Sequence, residues 1–179
     1  MPVYVALLRG VNVGGNTLKM ERLRALCADL EFDRVQTYLQ SGNLVFATHL
    51  PAAKIAPLIE RTIAGASRLP ASVVVRTLAQ MRSIIERSPF ARKGGVAEER
   101  LYVTFLKEKP SEAALQALKL ESARDRAEIL GTEIYLHVPG GYGETKLSNA
   151  YFEKALGVRA TTRNWKTTNA LLEMAQGLS

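Results

Sequence analysis

An unbroken apolar run, Val3 to Leu8, stands near the start of the chain and gives way to Arg9 and a glycine-rich segment. A run without polar alternation predicts a strand buried on both faces, central in its sheet. The segment Gly10 to Asn16 then reads as a loop, with Thr17 as N-cap of the helix that follows. Met20, Leu23, Leu26, Cys27 and Leu30 recur at helical spacing, which puts the Cys27 thiol on the core-facing stripe. Val35 to Leu39 and Leu44 to Ala47 read as strands joined by the turn Gln40-Ser41-Gly42-Asn43. Pro51 opens a helix carrying Ile55, Leu58, Ile59 and Ile63, and Val73-Val74-Val75 is a further strand. The order β-α-β-β-α-β is the split βαβ of a ferredoxin-like unit.

The pattern then begins again. Thr77-Leu78-Ala79-Gln80 is a capping box, and its helix uses Met81, Ile84 and Ile85 before Pro89. Phe90 to Glu99 is the most linker-like stretch. Leu101, Val103 and Phe105 alternate as a strand, and Ser111 caps a helix with Leu115 and Leu118. Ala127 and Ile129, then Ile134, Leu136 and Val138, alternate on either side of Gly131-Thr132, a second hairpin. Pro139 to Gly143 leads into a helix with Leu147, Tyr151 and Leu156, closed by Gly157 at C′. A last helix runs from about Arg163 to Gln176. The expectation is an α+β protein of two packed ferredoxin-like subdomains, residues 1–77 and 78–179, the second repeating β-α-β-β-α and ending in this helix.

Composition narrows the class. At 179 residues, 47% hydrophobic and 23% charged, the chain has the make-up of a globular protein. No apolar run approaches the roughly 18 residues that cross a bilayer, and the start lacks the basic region of a signal peptide. One cysteine excludes an internal disulfide and fits a reducing compartment, so a cytoplasmic setting without a membrane is expected. The 24 basic against 17 acidic residues give a net charge of +7, permitting attraction to nucleic acid or small anions. The excess is spread over both halves rather than gathered in a tail: nine against five up to Thr77, fifteen against twelve beyond.

The segments LLRGVNVGGN, TYLQSGNLVF, VVVRT, GYGETKLSN and TTRNWKT, in this order and spacing, resemble the bacterial domain of unknown function 1697 family. The resemblance covers nearly the whole chain. It implies an α+β fold of two ferredoxin-like subdomains and brings no established activity, hence no catalytic residues to carry over.

The residues themselves offer several candidates. Gly10 to Thr17 nearly matches the phosphate loop GxxxxGK[ST], but Asn16 stands where the lysine belongs. Without that charge, and with an antiparallel hairpin after the first helix, an NTPase is rejected. Glycines before a helix still expose backbone N–H groups that suit an anion; the alternative is a connection that needs positive φ. Arg9 and Arg76 end the first and fourth strands, which a parallel pairing at the centre of the sheet would bring to one edge. There they would grip a carboxylate or phosphate, or tie the two halves through acidic partners. Gln40 and Asn43 offer amides to a ligand. Ser41 lacks the flanking glycines of a nucleophile elbow, and neither His49 nor His137 is ordered as its base.

In the second half Gly140 to Lys146 is another glycine-rich lead into a helix, with Lys146 and Asn149 in its first turns. Thr161 to Thr167 is a third helix start, where Trp165 between Arg163 and Lys166 suits stacking of a base; equally, Thr162 caps the helix and Trp165 fills the core. One Cys and two separated His cannot build a zinc site, no carboxylates have calcium-loop spacing, and no cofactor motif is present. The expected ligand residues are therefore Arg9, Asn12, Gly14, Gly15, Asn16, Gln40, Asn43, Arg76, Lys146, Arg163, Trp165 and Lys166, for a nucleic acid or a phosphorylated metabolite, with no cofactor and no metal. The alternatives are a cofactor-independent hydrolase or transferase using Ser41 or Tyr142, and a homo-oligomeric structural protein joined at strand edges. Catalysis and oligomeric state are not written in the sequence.

Overall fold

A computed structural model describes every residue except Val13, Asn16, Arg68, Lys93 and Ala123. Two compact units divide the chain, one of Met1–Arg82 with Ala170–Ser179, the other of Ser83–Asn169. Both carry mixed helix and strand, and the protein is α+β.

The first unit is built on β1 (Val3–Arg9), α1 (Met20–Ala28), β2 (Asp33–Thr37), β3 (Asn43–Ala47), α2 (Ala52–Ser67) and β4 (Ser72–Thr77). Its sheet runs β2-β3-β1-β4 with every neighbouring pair antiparallel. Tyr4, Ala6 and Leu8 from one face of β1 join Leu23 and Cys27 of α1 and Ile55, Ile59 and Ile63 of α2 in a single core. Val5 and Leu7, on the other face, have no exposure at all, so β1 is covered on both sides as its unbroken apolar run requires.

Cys27 lies in that core, and burial pushes its thiol up to about 12. Helix α1 starts later than expected: Lys19 precedes its first residue and no side chain caps it, while Thr17 stays exposed outside. The capping box at Thr77 forms as its spacing requires at the start of α3 (Leu78–Glu86). There the Thr77 N–H donates to Gln80 Oε1 at 2.8 Å and the Gln80 N–H to Thr77 Oγ1 at 3.1 Å.

The second unit contains β5 (Leu101–Leu106), α4 (Glu112–Ala117), β6 (Glu121–Ser122), β7 (Asp125–Leu130), β8 (Glu133–His137), α5 (Asn149–Leu156) and β9 (Ala160–Asn164). The sheet order is β6-β7-β8-β5-β9, again antiparallel throughout. Setting aside the two-residue β6, it follows the same strand path as the first sheet.

The strand β9 corrects the sequence reading. Thr161, Thr162 and Arg163 pair with β5 rather than opening a helix. Helix α6 (Trp165–Gly177) begins after them, and Asn164, not Thr162, receives the N–H of Thr167 on its Oδ1 at 2.7 Å. Consecutive Thr residues are β-branched and suit a strand as well as a cap, and the pairing with β5 decides. Ser111 caps α4 and Gly157 ends α5 in the left-handed conformation, both as expected.

Candidate functional site

The last residue of β1 is Arg9, opposite Ser72 at the start of β4. Three connecting segments gather at this end of the first sheet, and each is held there by identifiable contacts. The N–H of Leu8 donates to the Gly42 carbonyl at 2.8 Å, tying the β2–β3 turn to β1. A Cβ on Gly42 would stand 2.6 Å from Val11 Cγ2 and 2.8 Å from Leu8 Cβ, so the turn lies against the loop with room only for glycine. Gly10 approaches the third segment, where an added Cβ would meet the Pro70 carbonyl at 3.2 Å.

Asn12 fastens the loop. Its Oδ1 accepts from the Leu18 N–H at 2.7 Å, and its Nδ2 donates to the carbonyls of Leu18 (2.9 Å) and Gln40. Asn12 itself takes a positive φ of 54°, a conformation asparagine tolerates better than most residues. Asn43 performs the same service for the turn, donating from a fully buried amide to the Tyr38 carbonyl at 2.7 Å and to Ser41 Oγ at 3.0 Å. Both asparagines therefore spend their amides on backbone and side-chain groups of the protein. Gly14 and Gly15 differ. They are exposed, have φ of 58° and 87°, and an added Cβ on either would meet nothing within 4 Å. Gln40 is exposed in the turn, its carbonyl held by Asn12, whereas Asn16 lies outside the described residues.

Arg76 does not join this group. β1 and β4 are antiparallel, so Arg76 stands opposite Val5 while Arg9 stands opposite Ser72. At about 3.3 Å per residue the two arginines are separated by roughly 13 Å along the sheet, on the same face but toward opposite ends. The expectation of a parallel pair failed for a simple reason. In a split βαβ the strands that run parallel are separated by an intervening antiparallel one, so neighbours in the sheet oppose each other. Arg76 is buried, and its Nη1 donates to the Val75 carbonyl at 2.9 Å.

The remaining candidates belong to the second unit. Trp165 and Arg163 are buried; Lys146 and Lys166 are exposed. Lys146 precedes α5 rather than lying in its first turns, because a short 3-10 turn (Tyr142–Glu144) intervenes and Ser148 is the cap. Arg163 Nη1 donates to Thr161 Oγ1 at 2.8 Å and to the Thr162 carbonyl at 2.9 Å. Desolvation lowers its pKa to about 10, partly offset by Tyr142, and it remains a guanidinium at neutral pH.

Sequence reasoning missed a polar circuit around Thr162. The Tyr142 hydroxyl donates to Thr162 Oγ1 at 3.1 Å, Thr162 donates to Asn149 Oδ1 at 2.7 Å, and the Asn149 N–H donates back to the Tyr142 oxygen at 3.1 Å. Thr104 Oγ1 lies 2.7 Å from Thr162 Oγ1, and since the Thr162 proton is already given to Asn149, Thr104 must be the donor there. The GYGETKLSN motif signalled this loop, but its partners in β5 and β9 are distant in the chain. Among the described residues no group of His, Cys, Asp and Glu could hold a metal ion, and no helix is long and apolar enough to cross a membrane.

An α+β chain with two antiparallel sheets and a glycine loop closing the first is the class that fold and site define. The same fold is found in a structure titled as that of the conserved bacterial protein SP0830 from Streptococcus pneumoniae: TM-score 0.71, 24% identity, 97% of this chain and 98% of that one covered. Residues 1–135 match the family described as "Protein of unknown function (DUF1697)", and the chain belongs to that family. No curated protein matches the sequence.

Proposed function

We propose that the protein binds a small anionic ligand, a phosphorylated metabolite in preference to nucleic acid, at the end of the first sheet. The observation that carries this reading is the loop around Gly14 and Gly15. It is pinned by Asn12 on either side of its open part, it presents glycine backbone to solvent, and it follows directly on Arg9. Backbone N–H groups in such loops, with a nearby guanidinium, suit phosphate or carboxylate oxygens. Arg9, Gly14, Gly15 and Gln40 are the residues assigned to the ligand. Arg76 lies toward the other end of the strand pair and is left out. The single buried cysteine supports a reducing, cytoplasmic setting.

Isothermal titration with inorganic phosphate at low salt tests the proposal. Wild type binds, and Arg9→Ala weakens binding by about tenfold, the order expected for one charge-assisted hydrogen bond. A short single-stranded oligonucleotide distinguishes the partner. One phosphate gives a shallow dependence of log K on log salt, whereas a strand neutralising several phosphates gives a slope of about −0.7 for each. Failure of wild type to bind phosphate or oligonucleotide at low salt rejects the reading.

A further inference from the structure

Leu39 sits in the turn whose next residue, Gln40, is bonded through its carbonyl to Asn12. It is 54% exposed, and among the described residues Met1 is the other large hydrophobic so displayed. Its backbone is also unusual, with φ at 57°, in the left-handed region where a leucine Cβ crowds the following carbonyl. Glycine would occupy this position without that cost. The conformation is imposed from both sides: the Tyr38 N–H donates to the Asn43 carbonyl at 3.1 Å, Asn43 Nδ2 holds the Tyr38 carbonyl, and Asn12 holds Gln40. The turn thus carries backbone strain while more than half of an apolar residue stays open to water. Strain maintained by surrounding contacts at a largely uncovered apolar residue points to a use outside the folded chain itself.

We propose that Leu39 is the apolar contact of the anion site, so that the ligand carries its phosphate or carboxylate on an apolar or aromatic body. The proposal rests on the assignment of the Gly14–Gly15 loop as that site. The anionic head meets the glycine loop and Arg9, and the body lies over Leu39, removing apolar area of both from water. This explains why an exposed leucine stands in the turn that Asn12 ties to the glycine loop. A free inorganic anion would make no use of it.

Titration of phenyl phosphate and inorganic phosphate against wild type, Leu39→Gly and Leu39→Asn tests the idea, since both substitutes accept a positive φ. Wild type prefers phenyl phosphate by roughly tenfold, the scale of partly burying one leucine side chain. Both variants lose that preference while retaining inorganic phosphate, and neither melts below wild type. Equal affinities of wild type for the two probes, or an unchanged preference in the variants, overturn the role of Leu39 and leave the anion site standing. Loss of both ligands in folded variants also overturns it, because the residue would then shape the loop rather than touch the body. Absence of inorganic and phenyl phosphate binding in wild type overturns the anion site and this inference together.

Discussion

Asn12, Gly42 and Asn43 show how single residues set the end of the first sheet. Gly42 has φ of 81° and no space for a Cβ between Val11 and Leu8. Gly42→Ala is therefore expected to destabilise the protein by about 2–4 kcal/mol, combining left-handed strain with overpacking, measurable by urea denaturation. Sequence alone marked this glycine as a turn residue but not its collision with Val11, a contact between segments far apart in the chain. The asparagines were legible as hydrogen-bonding residues, not as to whom they bond: an amide that serves a ligand and one that serves a carbonyl look alike in sequence.

Titratable groups follow the same logic. Burial pushes the Cys27 thiol up to about 12, and burial, then Glu133, push the Tyr135 phenol up to about 12 against the opposing Arg87. Tyr135 also donates to the Ile84 carbonyl at 2.9 Å, a bond that needs its proton. For both acids the folded state holds the proton more tightly than the unfolded chain. Their contribution is intact below the ordinary values of 9.0 and 10.0 and is lost as pH rises from there through about 12. Denaturation midpoints are expected to fall across that alkaline range. Cys27 should resist a thiol reagent at pH 8 until the protein is unfolded, as absorbance on labelling would show.

Among the elements, the ones read most directly were those whose signal is local. The apolar run of β1, the Thr77 capping box and the Gly157 terminus each follow from residues within a few positions of one another. Thr77→Ala should cost about 1 kcal/mol through loss of the α3 cap, read from the shift in thermal midpoint. What escaped were relations between elements. β9 is short, polar on its exposed side and stabilised by pairing with β5, so its own sequence resembles a cap. Strand direction has no local signature either, and the supposed meeting of Arg9 with Arg76 depended wholly on it. The edge position of β9 gives its polar residues a further task, since Thr162 closes the circuit with Tyr142 and Asn149. Tyr142→Phe removes both a donor to Thr162 and the acceptor of an N–H in the first turn of α5. Hydrogen exchange at Asn149 should quicken more than at the last turn of that helix.

Across the whole molecule, Ala170–Ser179 belongs to the same unit as β1–β4, although the entire second unit lies between them in the chain. Leu171 and Ala175 have no exposure, and Leu178 has little. Leu171→Ala is expected to cost about 2–5 kcal/mol, as for other buried leucines. Deleting residues 170–179 should lower amide protection in β1–β4 more than in β5–β9, which hydrogen exchange would resolve strand by strand. During synthesis the residues that build the first sheet leave the ribosome well before Ala170–Ser179, with the whole second unit made in between. Assembly of that half must then wait for Ala170–Ser179 to emerge, and a nascent chain stalled before Ala170 would offer chaperones an incompletely covered surface.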